Sequence, residues 1–98
     1  MSRALFLRSE AKDELRQAFD WYEERRIGLG FEFLRTVRVV LAAIERAPEH
    51  FPVALDDIRK APLRRFPYVV YFVVLPAGVS VFAIHHARRH PRRWTSRK

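Results

Sequence analysis

Residues Tyr68 to Leu75 read Tyr-Val-Val-Tyr-Phe-Val-Val-Leu, eight consecutive positions that are β-branched, aromatic or Leu, with both alternation faces apolar. A half-exposed strand alternates apolar with polar side chains and an amphipathic helix repeats every 3.6 residues. The run does neither, and predicts a central strand covered on both sides. A chain of 98 residues built around such a strand must supply or recruit cover for two sheet faces. Pro76, Ala77 and Gly78 make a turn, and Val79 to His86 predicts a second strand, antiparallel to the first. Strict alternation along it places Val79, Val81 and Ala83 on one face and Phe82, Ile84 and His86 on the other.

The upstream half has helical periodicity. Ala11, Leu15, Ala18, Phe19 and Tyr22 share one face of a helix starting at Ser9 and stopping near Arg25 or Arg26, while Lys12, Arg16, Asp20 and Glu23 face water. Glu10, Asp13 and Glu14 put negative charge at the positive end of its dipole. Gly28-Leu29-Gly30 supplies a tight connection to a second helix, from about Gly30 to Arg46, whose stripe is Phe31, Leu34, Val37, Leu41 and Ile44, widened by Phe33 and Val40. Pro48 ends it. Ala4 to Leu7 predicts a first short strand. Phe51 and Pro52 predict a loop, and Ile58 to Arg65, interrupted by Pro62, an edge strand or irregular ribbon. The expected fold is one α+β domain over residues 1–98: strand, helical hairpin, then a small antiparallel sheet of three strands (β-α-α-β-β-β). The hairpin covers one sheet face, leaving the other to the C-terminal tail or another molecule.

Charge is divided along the chain. The formal net charge is +8. All eleven acidic residues lie between Glu10 and Asp57, and residues 1–57 sum to −2, whereas the chain from Ile58 onward has ten Lys or Arg and no acid. The asymmetry implies a negatively charged partner, whether nucleic acid, ribosome or an acidic protein; the plainer alternative is a basic surface that keeps a small protein soluble. The absence of Cys excludes a disulfide scaffold and thiolate chemistry and fits a cytoplasmic location. The longest apolar stretch, Phe66 to Ala77, is shorter than the roughly 20 residues that span a bilayer, so no membrane association is expected.

Few residues suit familiar catalytic chemistry. Gly28 and Gly30 are an isolated pair, not a phosphate-cradling loop. His85, His86 and His90 lack nearby carboxylates, and adjacent strand residues point to opposite faces, so neither a metal nor another cofactor is expected. The constellation with chemical potential is His85-His86-Ala87-Arg88-Arg89-His90-Pro91-Arg92-Arg93-Trp94, together with Arg64 and Arg65. Arg clamps phosphates, His moves protons near neutral pH, and an aromatic ring stacks on a base, which are the parts needed for RNA binding or cleavage. The competing reading docks His85 and Trp94 on the sheet and leaves the arginines solvated.

Arg64-Arg65-Phe66-Pro67-Tyr68-Val69-Val70-Tyr71, the strand Val79 to Ile84, and His86-Ala87-Arg88-Arg89-His90-Pro91-Arg92-Arg93-Trp94 together resemble the C-terminal half of the RelE/ParE superfamily of bacterial toxins, in particular its ParE (plasmid stabilisation) group. The first half is similar as well, in Glu10-Ala11-Lys12-Asp13-Glu14-Leu15, Trp21-Tyr22-Glu23, Gly28-Leu29-Gly30, Phe33-Leu34 and Pro48-Glu49. The resemblance implies the toxin of a type II toxin-antitoxin pair, with an acidic ParD-like antitoxin docking on Phe19, Tyr22, Leu34, Val37 and Leu41. It implies DNA gyrase as target, held by Arg64, Arg65, Arg88, Arg89, Arg92, Arg93 and Trp94.

RelE-like members are instead ribosome-dependent mRNA endonucleases. Lys60 and Arg89 fall near their catalytic Lys and Arg, but the Arg expected after the strand Tyr is Val69, and Trp94 stands near the place of a late Tyr. Without the strand Arg a phosphate clamp is weakened, and an indole cannot replace a phenol in proton transfer. The resemblance therefore favours a binding toxin over an enzyme. The alternatives are a metal-independent mRNA endoribonuclease using Arg65, His86 and Arg89, or a non-toxic basic binding module.

Overall fold

The computed structural model describes residues 3–88. In chain order these form β1 (Leu5–Leu7), α1 (Ser9–Arg25), α2 (Leu29–Arg46), a 3-10 turn (Pro48–His50), β2 (Val53–Leu55), β3 (Ile58–Pro62), β4 (Tyr68–Leu75) and β5 (Gly78–His86). One sheet of five strands has the order β1-β5-β4-β3-β2. Strands β2 to β5 pair antiparallel in sequence, and β1 lies parallel to β5 at the opposite edge. The α+β architecture and the helical hairpin are as expected.

The sheet exceeds the expected three antiparallel strands. Val53–Leu55 pairs with β3 although Phe51-Pro52 signals a loop; all three of its residues are exposed, so no burial pattern marks it. Ile58–Pro62 is consequently an interior strand instead of an edge, with Pro62 at its last position. Leu5–Leu7 joins a strand more than seventy residues away, a pairing invisible to local periodicity.

Both helices pack on one sheet face. Ala11 and Ala18 of α1 and Phe33, Val37 and Ile44 of α2 meet Ala61, Val70, Phe72, Val79, Val81 and Ile84. The other face, formed by Ile58, Val69, Tyr71, Val73, Phe82 and Ala83, is also buried, as the two-sided apolar run demanded. The expected cover of that face by the C-terminal tail concerns residues 89–98, which lie outside the described residues.

A β-bulge corrects the expected facing of β5. Tyr71 pairs with Ala83 and Phe72 with Val81, so Phe82 is an extra residue that shifts the alternation by one. Val79 and Val81 before the bulge and Ile84 and His86 after it all sit on the helix face, opposite Val74, Phe72, Val70 and Tyr68. Phe82, Ala83 and His85 share the far face.

The hairpin connection rests on backbone freedom and one carboxylate. Gly28 has φ +92, a left-handed conformation that a side chain disfavours. The Glu23 carboxylate accepts the backbone N–H groups of Gly28 at 2.8 Å and Gly30 at 2.9 Å. It thereby satisfies donors that the start of α2 would leave orphaned and places negative charge at the positive end of the helix dipole. A Cβ on Gly30 would lie 2.8 Å from the Phe19 carbonyl oxygen, so the helices approach this closely only at glycine.

Two substitutions probe these contacts by urea unfolding. Phe72 is fully buried against Phe51, and Phe72→Ala is expected to cost about 3–5 kcal/mol. Glu23→Ala is expected to cost about 1–2 kcal/mol, the usual loss for a helix cap. An unchanged midpoint in either variant would contradict the contact described.

Candidate functional site

A groove of about 550 Å³ opens between the middle of α1 and the end of the β4–β5 hairpin. The helix contributes Glu14, Gln17, Ala18, Trp21 and Tyr22, whose spacing of three and four residues aligns them on one face. Pro67 and Tyr68 enter from the start of β4, and Ile84 and His86 from the end of β5. His86 reaches this side only because of the bulge at Phe82.

Aromatic side chains dominate the lining. Tyr22 packs 5.2 Å from Phe33, edge-on to Phe66 at 4.9 Å and to Tyr68 at 6.1 Å, which roots the groove floor in the helix-side core. Burial, and secondarily the phenol of Tyr68, push the Tyr22 hydroxyl above its ordinary pKa, so it stays protonated at neutral pH. Tyr68 lies 5.5 Å from the His86 ring. The Arg88 N–H donates to His86 Nδ1 at 3.2 Å, which places the proton of the neutral imidazole on Nε2. Trp21 is 48% exposed, edge-on to Tyr22, with the Arg25 guanidinium 3.4 Å from its ring centre.

One wall is fixed by a long-range carboxylate. Beyond Val81, β5 has no neighbour from β1, and Glu14 takes that place. Its Oε1 accepts the Ile84 N–H at 3.0 Å and its Oε2 lies 2.5 Å from His85 Nε2. His85 is 1% exposed, and its Nδ1 has no hydrogen-bond partner among the described residues. In the sequence Glu14 reads as a first-turn acid, and the burial of His85 agrees with the reading that docks it on the sheet. No short-range signal links residues seventy positions apart.

The structure separates the residues singled out by sequence. Arg65 has φ +71 in the turn before β4, and its guanidinium is 2.9 Å from Glu32 of α2, which Arg26 also meets at 3.3 Å. These contacts, led by the Arg65 hydrogen bond, hold the Glu32 carboxyl below its ordinary pKa of 4.5. Lys60 is paired with Tyr71, on the face opposite His86. Among the described residues, Arg65, Lys60 and His86 share no hydrogen bond or ion pair with one another. Arg64 and Arg88 are exposed. Arg89, Arg92, Arg93 and Trp94 lie outside the described residues.

The hairpin residues divide similarly. Val37 is fully buried, Tyr22 belongs to the aromatic floor, and Leu41 packs against the core, while Phe19 and Leu34 are half-buried. The exposed large apolar side chains of the hairpin are instead Trp21, Ile27, at 91%, Phe31 and Val39. Phe31 was legible only as a member of the stripe, and Val39 falls outside it. Among the described residues no group of three His, Cys, Asp or Glu could hold a metal ion, and no helix is long and apolar enough to cross a membrane.

The family model described as the ParE toxin of type II toxin-antitoxin systems, parDE, matches residues 5–91, and the chain belongs to that family. Among solved structures it is similar to the chromosomal ParDE toxin-antitoxin system from P. aeruginosa. The TM-score is 0.74 at 17% sequence identity, over 87% of this chain and 96% of that one, a likeness of fold. No curated protein sequence matches.

The lowered carboxyl pKa has a pH signature. Glu32 contributes stability that is fully present above its ordinary value of 4.5 and is lost as pH falls through the lower folded value. Glu32→Gln is therefore expected to lower Tm at pH 7, with the gap to the parent closing in strongly acidic buffer. A gap independent of pH would disprove the ionic origin.

Proposed function

We propose that this ParE-type toxin arrests growth by binding DNA gyrase and trapping its cleaved DNA, and that an acidic antitoxin neutralises it by docking on the helical hairpin. The observation that carries the binding reading is the dispersal of the candidate catalytic groups. Phosphodiester cleavage needs cations and a proton-transfer group converging on one phosphate. Here Lys60 and His86 lie on opposite faces of the sheet, the Arg65 guanidinium is engaged by Glu32, and position 69 is a buried Val where RelE-like enzymes place an Arg. A protein that works by binding another macromolecule needs no such convergence.

The hairpin surface supports the antitoxin. Phe31, Arg35, Arg38, Val39 and Ala42 recur at helical spacing on the exposed side of α2, next to Ile27 and half-buried Leu34. An apolar stripe interleaved with cations suits an acidic amphipathic segment that folds as it binds. The target would be held by the acid-free half of the chain, through Arg64, Arg88 and the arginines beyond residue 88.

The deciding assay incubates purified gyrase, supercoiled plasmid, ATP and this chain, then reads linear plasmid after detergent and protease. Toxin-dependent linearisation is expected, and Arg64→Glu with Arg88→Glu should reduce it without changing Tm. Intact plasmid from a chain that still stops growth, with messages cut on the ribosome, would replace this reading by the mRNA endonuclease. Harmless expression without antitoxin would replace it by a binding module.

A further inference from the structure

The groove between α1 and the β4–β5 hairpin has a floor rooted in the core through Ala18, Tyr22, Tyr68 and Ile84, and above it Gln17, Trp21 and His86 line the open space. Its polar groups are already biased. Both Glu14 oxygens are engaged, by Ile84 N–H and His85 Nε2, so the carboxylate is held against β5. His86 has Nδ1 occupied and presents Nε2–H as a donor, and Tyr22 remains a protonated phenol. Gln17 adds an amide that both donates and accepts.

These groups sit among the rings of Trp21 and Tyr68 in a space of ligand size. Such a site favours a flat, neutral heteroaromatic group with mixed donors and acceptors. Phenol and indole side chains are flat too, but they carry one polar group and no charge. The surroundings decide between them. Arg88 follows two residues after His86, Arg64 precedes Pro67 by three, both are exposed, and neither has an ion-pair partner among the described residues. A base with its phosphate satisfies both parts, the ring in the groove and the phosphate against the exposed cations that flank its lining residues in the chain.

We propose that this groove binds one unstacked nucleotide of a single-stranded nucleic acid, the base against Trp21 and Tyr68 and hydrogen-bonded by His86 Nε2–H and Gln17, the flanking phosphates met by Arg64 and Arg88. Stacking tolerates every base, so little sequence preference is expected. The inference goes beyond the gyrase reading and is tested without gyrase.

The test is fluorescence anisotropy of a labelled eight-nucleotide oligo(dA) titrated with the full chain. Saturable binding is expected, weaker with rising salt and at least tenfold tighter than for a DNA duplex of the same length. Trp21→Ala and His86→Ala should each weaken it about tenfold with Tm within a few degrees of the parent. Arg46→Ala, at the far end of α2, should weaken it less than twofold. Tyr68→Phe, which keeps the ring, separates stacking from fold loss and should retain most of the affinity. Equal weakening by Arg46→Ala, undiminished binding by Trp21→Ala and His86→Ala, or equal affinity for duplex would overturn the proposal. So would an oligo-glutamate peptide that competes as well as unlabelled oligo(dA), since the groove would then select charge alone. AMP should compete only at far higher concentration; displacement at equal concentration would assign the groove to a free nucleotide and overturn the strand-borne one.

Discussion

The single extra residue at Phe82 decides which side chains the last strand shows to the helices. In an unbroken strand, Val79 and Val81 would share a face with Ala83 and His85, and Ile84 and His86 would turn away. The bulge resets the phase, so the helix layer receives Val79, Val81, Ile84 and His86 from one strand. The same shift turns His85 to the far face at the sheet edge, where Glu14 meets it. The groove wall, the engaged carboxylate and the orientation of His86 all follow from this local irregularity.

Glu14 is the complementary device on the helix. Strand β1 covers β5 only through Val81, and an uncovered strand edge exposes backbone donors that invite other strands. By accepting the Ile84 N–H, a side chain from α1 continues the ladder where the backbone stops. The helix that lines the groove is thereby tied to the strand that forms its opposite side. Glu23 plays a similar part nine residues later, joining the end of α1 to the start of α2. Carboxylates that read as ordinary solvent-facing acids in a helical pattern thus hold the layers together.

The pleat and the ion pairs also decide which cations lie together. The superfamily resemblance offered Arg65, His86 and Arg89 as an alternative catalytic set, with Lys60 near the place of the RelE-like catalytic Lys. In the fold, the strand pleat sends Lys60 and His86 to opposite faces, and Glu32 claims Arg65. Cations near one another in sequence acquire a common chemistry only when the pleat and their ion-pair partners allow it.

The sequence by itself determined the elements and their class. Eight apolar residues at Tyr68–Leu75 required a doubly covered strand, the 3.6-residue spacing from Ala11 to Ile44 required two amphipathic helices, and the Gly28–Gly30 connection required a hairpin. These are short-range consequences of burial and backbone freedom. Only the tertiary structure decided the rest. Val53–Leu55 is too short to announce itself and became a strand by pairing with β3, while Leu5–Leu7, legible as a short strand, found its place only through its parallel pairing with β5. The bulge at Phe82 leaves no mark in the apolar run Val81–Ile84, because either phase buries apolar side chains. Of the candidate site, Tyr22, Trp21 and His86 were legible as residues of interest, but their meeting with Glu14, Gln17 and Tyr68 was not. That meeting depends on how α1 crosses the end of the sheet, a geometry set by packing between residues some fifty to seventy positions apart.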